Sequence, residues 1–121
     1  MQHVGVDIIE ISRIEEAIQS FGQTFLERIY TQKELDAYRD KLPSLAARFA
    51  GKEAVIKALN SPGINPRDIE ILSAPDGKPL LSLHGKAQEK AKSLGLAGLD
   101  ISLSHSREYA VAFVVGTSSI K

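Results

Sequence analysis

The segment from Ser44 to Leu59, bounded by Pro43 in front and Ser61-Pro62-Gly63 behind, constrains the fold more than any other part of the chain. Leu45, Phe49, Ile56 and Leu59 share one stripe at helical spacing, which predicts the longest helix here, with Pro43 in its first turn. Such a helix must lay its stripe against another layer. Upstream, Val4, Val6 and Ile8 alternate with Gly5, Asp7 and Ile9, a period-2 pattern that predicts a strand beginning almost at the first residue. Downstream, Ile69 to Ser73 and Leu80 to His84 flank the turn Pro75-Asp76-Gly77-Lys78-Pro79. Leu99 to Ser104 and Tyr109 to Val115 flank His105-Ser106-Arg107-Glu108, so two hairpins are expected. Shorter helices fill the gaps. Ser12 is placed to cap one carrying Ile14, Ala17 and Ile18, and Phe21-Gly22 separates it from a turn with Phe25, Leu26 and Ile29. Thr31 and Glu34 have capping-box spacing for a helix to about Tyr38, and Gly85 to Leu94 reads as another. The predicted class is α+β, an antiparallel-rich sheet with helices packed on one face.

Composition narrows what such a domain can do. A chain of 121 residues supports one domain spanning 1–121, and 15 basic against 15 acidic residues give zero formal charge. That balance argues against a nucleic-acid-coating surface. With no cysteine, disulfides, thiolate metal sites and thiol nucleophiles are excluded, and a reducing cytoplasm fits. No apolar run approaches the ~20 residues of a membrane span, and the start lacks the pattern of a signal peptide. The expectation is a cytoplasmic domain with neither nucleic acid nor membrane as partner.

Three segments carry chemistry. Asp7 places a carboxylate in an otherwise apolar strand and needs a partner there, whether a cation of the protein or a metal ion. Gly5, on the same face, leaves room for a ligand. In Arg48-Phe49-Ala50-Gly51-Lys52-Glu53-Ala54-Val55-Ile56-Lys57, Glu53 falls at the edge of the apolar stripe and pairs at i, i+4 with Lys57. Gly51 costs about 1 kcal/mol relative to alanine inside a helix, so it asks for a compensating close approach of a backbone or ligand. Ser104-His105-Ser106 sits at the second hairpin, where a histidine is either simply solvated or part of a site. Taken together, Asp7 and Glu53 suit a hard divalent cation such as Mg²⁺, which is commonly held by one or two carboxylates and substrate phosphates. Arg48, Lys52 and Lys57 can neutralise a polyphosphate, although their arc around the helix is too wide for one phosphate within one subunit.

These motifs resemble those of the holo-acyl-carrier-protein synthases, the small bacterial type of 4′-phosphopantetheinyl transferase. Gly5-Val6-Asp7 is similar to the family's opening G-x-D, and the run from Arg48 to Ala58 to its R-F-x-x-K-E-A-x-x-K-A helix. Ser102 to His105 is similar to its S-x-S/T-H strand and turn. Phe25 to Glu34 and Asp76-Gly77-Lys78-Pro79 are also family-like, and the resemblance covers nearly the whole chain. It implies transfer of the 4′-phosphopantetheine arm of coenzyme A to a serine of apo acyl carrier protein, with release of adenosine 3′,5′-bisphosphate, in support of fatty acid biosynthesis. It also implies a homotrimer with active sites between subunits. On this resemblance Asp7 and Glu53 hold Mg²⁺, Glu53 accepts the serine proton, and Lys57 neutralises or protonates the departing phosphate. Arg48, Lys52, Ser104 and His105 hold coenzyme A.

Carrier-protein docking is implied for Arg13, Phe25 and Arg28, with core packing the alternative for Phe25. The segment from Ile14 to Thr24 lacks the additional arginines of some relatives. Two other readings use the same residues: a catalytically silent binding module for coenzyme A or carrier protein, and a Mg²⁺-dependent pyrophosphohydrolase.

Overall fold

The computed structural model describes residues 1–119, so the last two residues of the predicted domain lie outside the described ones. Strand β1 (Gln2–Glu10) runs directly into α1 (Ile11–Phe21), followed by α2 (Gln23–Ile29), α3 (Gln32–Tyr38) and α4 (Leu42–Leu59). A short 3₁₀ turn, Pro66–Asp68, leads into β2 (Ile69–Ser73) and β3 (Pro79–Leu83). Then come α5 (Gly85–Ser93), β4 (Leu96–His105) and β5 (Tyr109–Ser118). The strands form two antiparallel sheets: a three-stranded one in the order β1-β5-β4 and the β2-β3 hairpin.

Both predicted hairpins form, with Ser73 opposite Pro79 in the first and His105 opposite Ala110 in the second. The long-range step is β1 on β5, which sets Gly5 opposite Val114, Asp7 opposite Ala112 and Ile9 opposite Ala110. Gly5, Ala110, Ala112, Val114 and Gly116 are buried on the inner face, and α4 lies across it against β1 and β5. Small side chains there let the helix approach closely.

Thr31 and Glu34 make the capping box in full, each bonding the other's backbone N–H. Two local expectations change. Ser12 is not the cap of α1: the helix starts at Ile11, whose N–H donates to the Glu108 carbonyl at 2.8 Å, so the β4–β5 turn satisfies it. Nor is α4 buried on a single stripe. Leu45 through Arg48, Ala50 through Lys52, Ala54 through Ile56, Ala58 and Leu59 are all buried, because both sheets, α1, α3 and α5 surround the helix. Five of these are alanines, at positions 46, 47, 50, 54 and 58, that a count of large apolar residues overlooks.

Candidate active site

The end of β1, the first turns of α1 and the middle of α4 enclose a hollow of about 650 Å³, lined among others by Asp7, Glu10, Arg13, Phe25, Phe49 and Glu53. A tight crossing brings the two carboxylates together. A Cβ at Gly5 would land on the Ala54 carbonyl oxygen and 2.9 Å from the Ala58 nitrogen, so β1 and α4 meet backbone to backbone. The space at Gly5 is therefore filled by α4 and not by a ligand, which corrects the sequence reading. Two residues along the same strand face stands Asp7, and Glu53 precedes Ala54 on the helix.

Gly51 finds its compensation where α4 meets β2 and β4, the strand at the far edge of the same sheet. A Cβ there would stand 2.5 Å from Ile71 Cδ1, 3.2 Å from Ile101 Cδ1 and 3.3 Å from Leu103 Cδ2. Both glycines thus serve the seating of α4, Gly5 from the strand and Gly51 from the helix.

The electrostatics follow from this packing. Burial pushes the Glu53 carboxyl above the ordinary carboxylate range, the negative charge of Asp7 adds to the rise, and Lys57 partly opposes it. Lys57 Nζ, on the exposed side of α4, donates to the Val6 carbonyl at 3.0 Å and to Asp7 Oδ1 at 3.2 Å. The protein cation that Asp7 was expected to need is Lys57. Asp7 and Glu53 still face one hollow as a like-charged pair, a donor set of carboxylate oxygens that suits a hard cation. Among the described residues no group of three or more His, Cys, Asp or Glu residues is placed to enclose a metal. Two carboxylates are what Mg²⁺ sites shared with substrate phosphates commonly use.

The remaining site residues are distributed unevenly. Arg13 and Phe25 line the hollow, and Arg28 is exposed within one helical turn of Phe25. Phe25 also packs inward, its ring 6.4 Å from that of Phe49 and 6.3 Å edge-on from that of Tyr30, so it is both core and wall. Ser104 and His105 point to opposite faces of β4: Ser104 stands opposite Val111 on the outer face and His105 opposite the inner-facing Ala110. Both are exposed, and neither lines the hollow.

Arg48 and Lys52 depart furthest from expectation. Arg48 is buried: its Nε donates to the Ile71 carbonyl at 3.1 Å, one Nη to Ser73 Oγ at 2.7 Å, and its guanidinium covers the Tyr38 ring at 3.9 Å. Lys52 is 1% exposed and forms an ion pair at 2.7 Å with Glu34, which is fully buried. It also donates to the carbonyls of Pro66 and Ile69. Burial depresses the Lys52 ammonium and Glu34 opposes that shift. Neither cation is presented to a phosphate, because each is engaged by carbonyls, a hydroxyl or a carboxylate inside the domain. Sequence reasoning took Glu34 for a capping residue alone, and Phe49 for core alone. Phe49 was detectable as a wall of the site, since it lies one turn from Glu53 on the same helix face.

The class follows from the sequence match: residues 3–114 match the model of the 4′-phosphopantetheinyl transferase superfamily. The chain is 53% identical over 116 residues to the holo-[acyl-carrier-protein] synthase of Dehalococcoides mccartyi, covering 95% of this chain and 98% of that one. It is 46% identical over 121 residues to the synthase of Herpetosiphon aurantiacus, covering 93% and 95%. Among solved structures, the Helicobacter pylori holo-[acyl-carrier-protein] synthase in complex with coenzyme A superposes with a TM-score of 0.84 at 36% identity, covering 94% of this chain and 99% of that one. The chain belongs to the holo-[acyl-carrier-protein] synthase family and is a transferase.

Proposed function

We propose that the protein transfers the 4′-phosphopantetheine arm of coenzyme A to a serine hydroxyl of apo acyl carrier protein in the cytoplasm, releasing adenosine 3′,5′-bisphosphate and supplying fatty acid biosynthesis. The observation that carries this reading is the convergence of Asp7 and Glu53 on one hollow, with Arg13 and Phe25 in its wall. When bound by those two carboxylates, Mg²⁺ supplies positive charge for the pyrophosphate of coenzyme A.

The serine oxygen forms its new bond to the β-phosphorus as the bond from that phosphorus to the bridging oxygen breaks. The bridging oxygen and its electrons leave with the nucleotide. Glu53 is the acceptor of the serine proton, a role suited to a carboxyl whose proton affinity is raised by burial and by Asp7. Lys57 orients Asp7 through its 3.2 Å contact and neutralises the departing phosphate. Arg13, with Arg28 beside it, attracts the acidic carrier protein, and Phe25 adds apolar contact.

Ser104 and His105 hold coenzyme A in this scheme from a neighbouring subunit of a homotrimer. A bare apolar surface supports that assembly. Val4, Val6, Ile8 and Phe113 on the outer sheet face are 57%, 53%, 64% and 48% exposed, with Val6 directly opposite Phe113, and grouped exposed apolar side chains of this kind mark interaction surfaces.

Intact mass after incubation with apo acyl carrier protein, coenzyme A and Mg²⁺ tests the proposal. A carrier protein heavier by one phosphopantetheine arm is the expected result. Cleavage of coenzyme A without transfer would establish the pyrophosphohydrolase instead, and an unchanged mixture the silent module.

A further inference from the structure

Glu34 and Lys52 are buried side chains that the transfer chemistry does not use. Each is engaged on every side. Lys52 directs its ammonium to Glu34 Oε1 and to the Pro66 and Ile69 carbonyls, while Glu34 accepts from the Thr31 N–H at 2.9 Å, from Lys52, and from the Ile71 N–H at 2.8 Å. One pair therefore ties the start of α3, the middle of α4, the 3₁₀ turn and β2 to a common point. The capping box asks for none of this beyond the Thr31 bond. A buried ion pair is also seldom the best stabiliser of a core, since apolar side chains of similar volume commonly do as well. What directional bonds add is a fixed angle, and Lys52 immediately precedes Glu53.

We propose that the Glu34–Lys52 pair is a positioning device for the transfer site: it sets the rotation of α4 about its own axis so that Glu53 faces Asp7. The contact of Gly5 with Ala54 and Ala58 fixes how closely α4 approaches β1. By itself that contact leaves the helix free to roll. The pair grips the helix from the β2 side at the turn that carries Glu53, where it adds to the Arg48 bonds to Ile71 and Ser73 one turn earlier and resists the roll. A carboxylate held about 6 Å from the helix axis moves about 1 Å for a roll of about 10°. Misplacements of that size can cost ~10²-fold in rate. The inference rests on the reading of the Asp7/Glu53 hollow as the transfer site.

The test compares the wild type with the double variant Glu34→Leu/Lys52→Met, using Glu53→Gln as a control. The double variant should melt lower than wild type, because the Thr31 and Ile71 N–H groups and the Pro66 and Ile69 carbonyls lose their partners, yet stay folded at the assay temperature and leave KM for coenzyme A and carrier protein within about two-fold. It should lose about ten-fold or more in kcat and bind Mg²⁺ more weakly by calorimetry in the presence of coenzyme A. A folded double variant with wild-type kcat overturns the proposal, and so does a loss of kcat that only tracks the folded fraction. Should the double variant not fold, Glu34→Asp keeps the charge pair with a carboxylate one methylene short, and wild-type kcat there overturns it equally. Wild-type turnover in Glu53→Gln would instead remove the reading of the hollow, whatever the pair does.

Discussion

Lys52 and Glu53 are neighbours in sequence with opposite fates, because one residue of α-helix turns a side chain by about 100°. Lys52 is carried into the core against Glu34, and Glu53 to the edge of the hollow beside Asp7. The raised proton affinity of Glu53 has a thermodynamic sign. Its carboxyl binds a proton more tightly folded than unfolded, so its contribution to stability is greatest below the unfolded value and is lost as pH rises through the folded one. Glu53→Gln removes that dependence. The variant should therefore melt higher than wild type at pH 7, converge with it in acid, and lose about 10²-fold or more in transfer. Thermal melts across pH, paired with the mass assay, check this; a variant that melts lower at pH 7 would contradict the electrostatic account. The carboxylates were legible in the sequence, because an acid in an apolar strand and an acid at the edge of an apolar stripe both need an explanation. The destination of Lys52 was not, since its partner lies 18 positions earlier and already had a local role in the capping box.

At the scale of elements, the site depends on how closely α4 crosses β1. Gly5 permits that approach, and Gly51 allows Ile71 of β2 and Ile101 and Leu103 of β4 to close on the helix as well. Gly5→Ala places a methyl group against the Ala54 carbonyl, and the strand or the helix must retreat. A loss of roughly 2–3 kcal/mol in unfolding free energy is expected by denaturant titration. Because Asp7 and Glu53 move apart with the retreat, transfer should fall even at temperatures where the variant is fully folded. A variant with unchanged stability would show that the crossing is less tight than its geometry. Both hairpins and the starts of α3 and α4 were readable because their signals are local, namely the turn residues around Gly77, the Thr31 box and Pro43, whereas the start of α1 was not, since the distant Glu108 carbonyl and not Ser12 satisfies it. The pairing of β1 with β5 was not readable, because nothing within either strand specifies a register that joins Asp7 to Ala112. The all-round burial of α4 was also hidden, since alanines give little hydrophobic signal while permitting the closest packing.

At the scale of the whole molecule, one face of the β1-β5-β4 sheet is covered and the other is not. The alternation that identified β1 as a strand left open which of its faces is buried. Val4, Val6 and Ile8 lie on the exposed face, while Gly5, Asp7 and Ile9 lie against the helices. A chain of this size can afford a bare apolar face if a second copy covers it, and Ser104 on that same face then contributes to the hollow of a neighbour and not to its own. Phe113, at the middle of the outer face and 48% exposed, tests the idea without touching Asp7, Glu53 or the inner packing. Phe113→Asp should leave the circular dichroism spectrum unchanged. By analytical ultracentrifugation, where the wild type is expected as the proposed trimer, the variant should sediment as monomer at micromolar concentration. Transfer should fall at least about ten-fold, with partial recovery as protein concentration is raised, since mass action restores an interface that one charge has weakened. A variant that remains trimeric and fully active would place the assembly surface elsewhere on the subunit, and with it the route by which Ser104 and His105 reach coenzyme A.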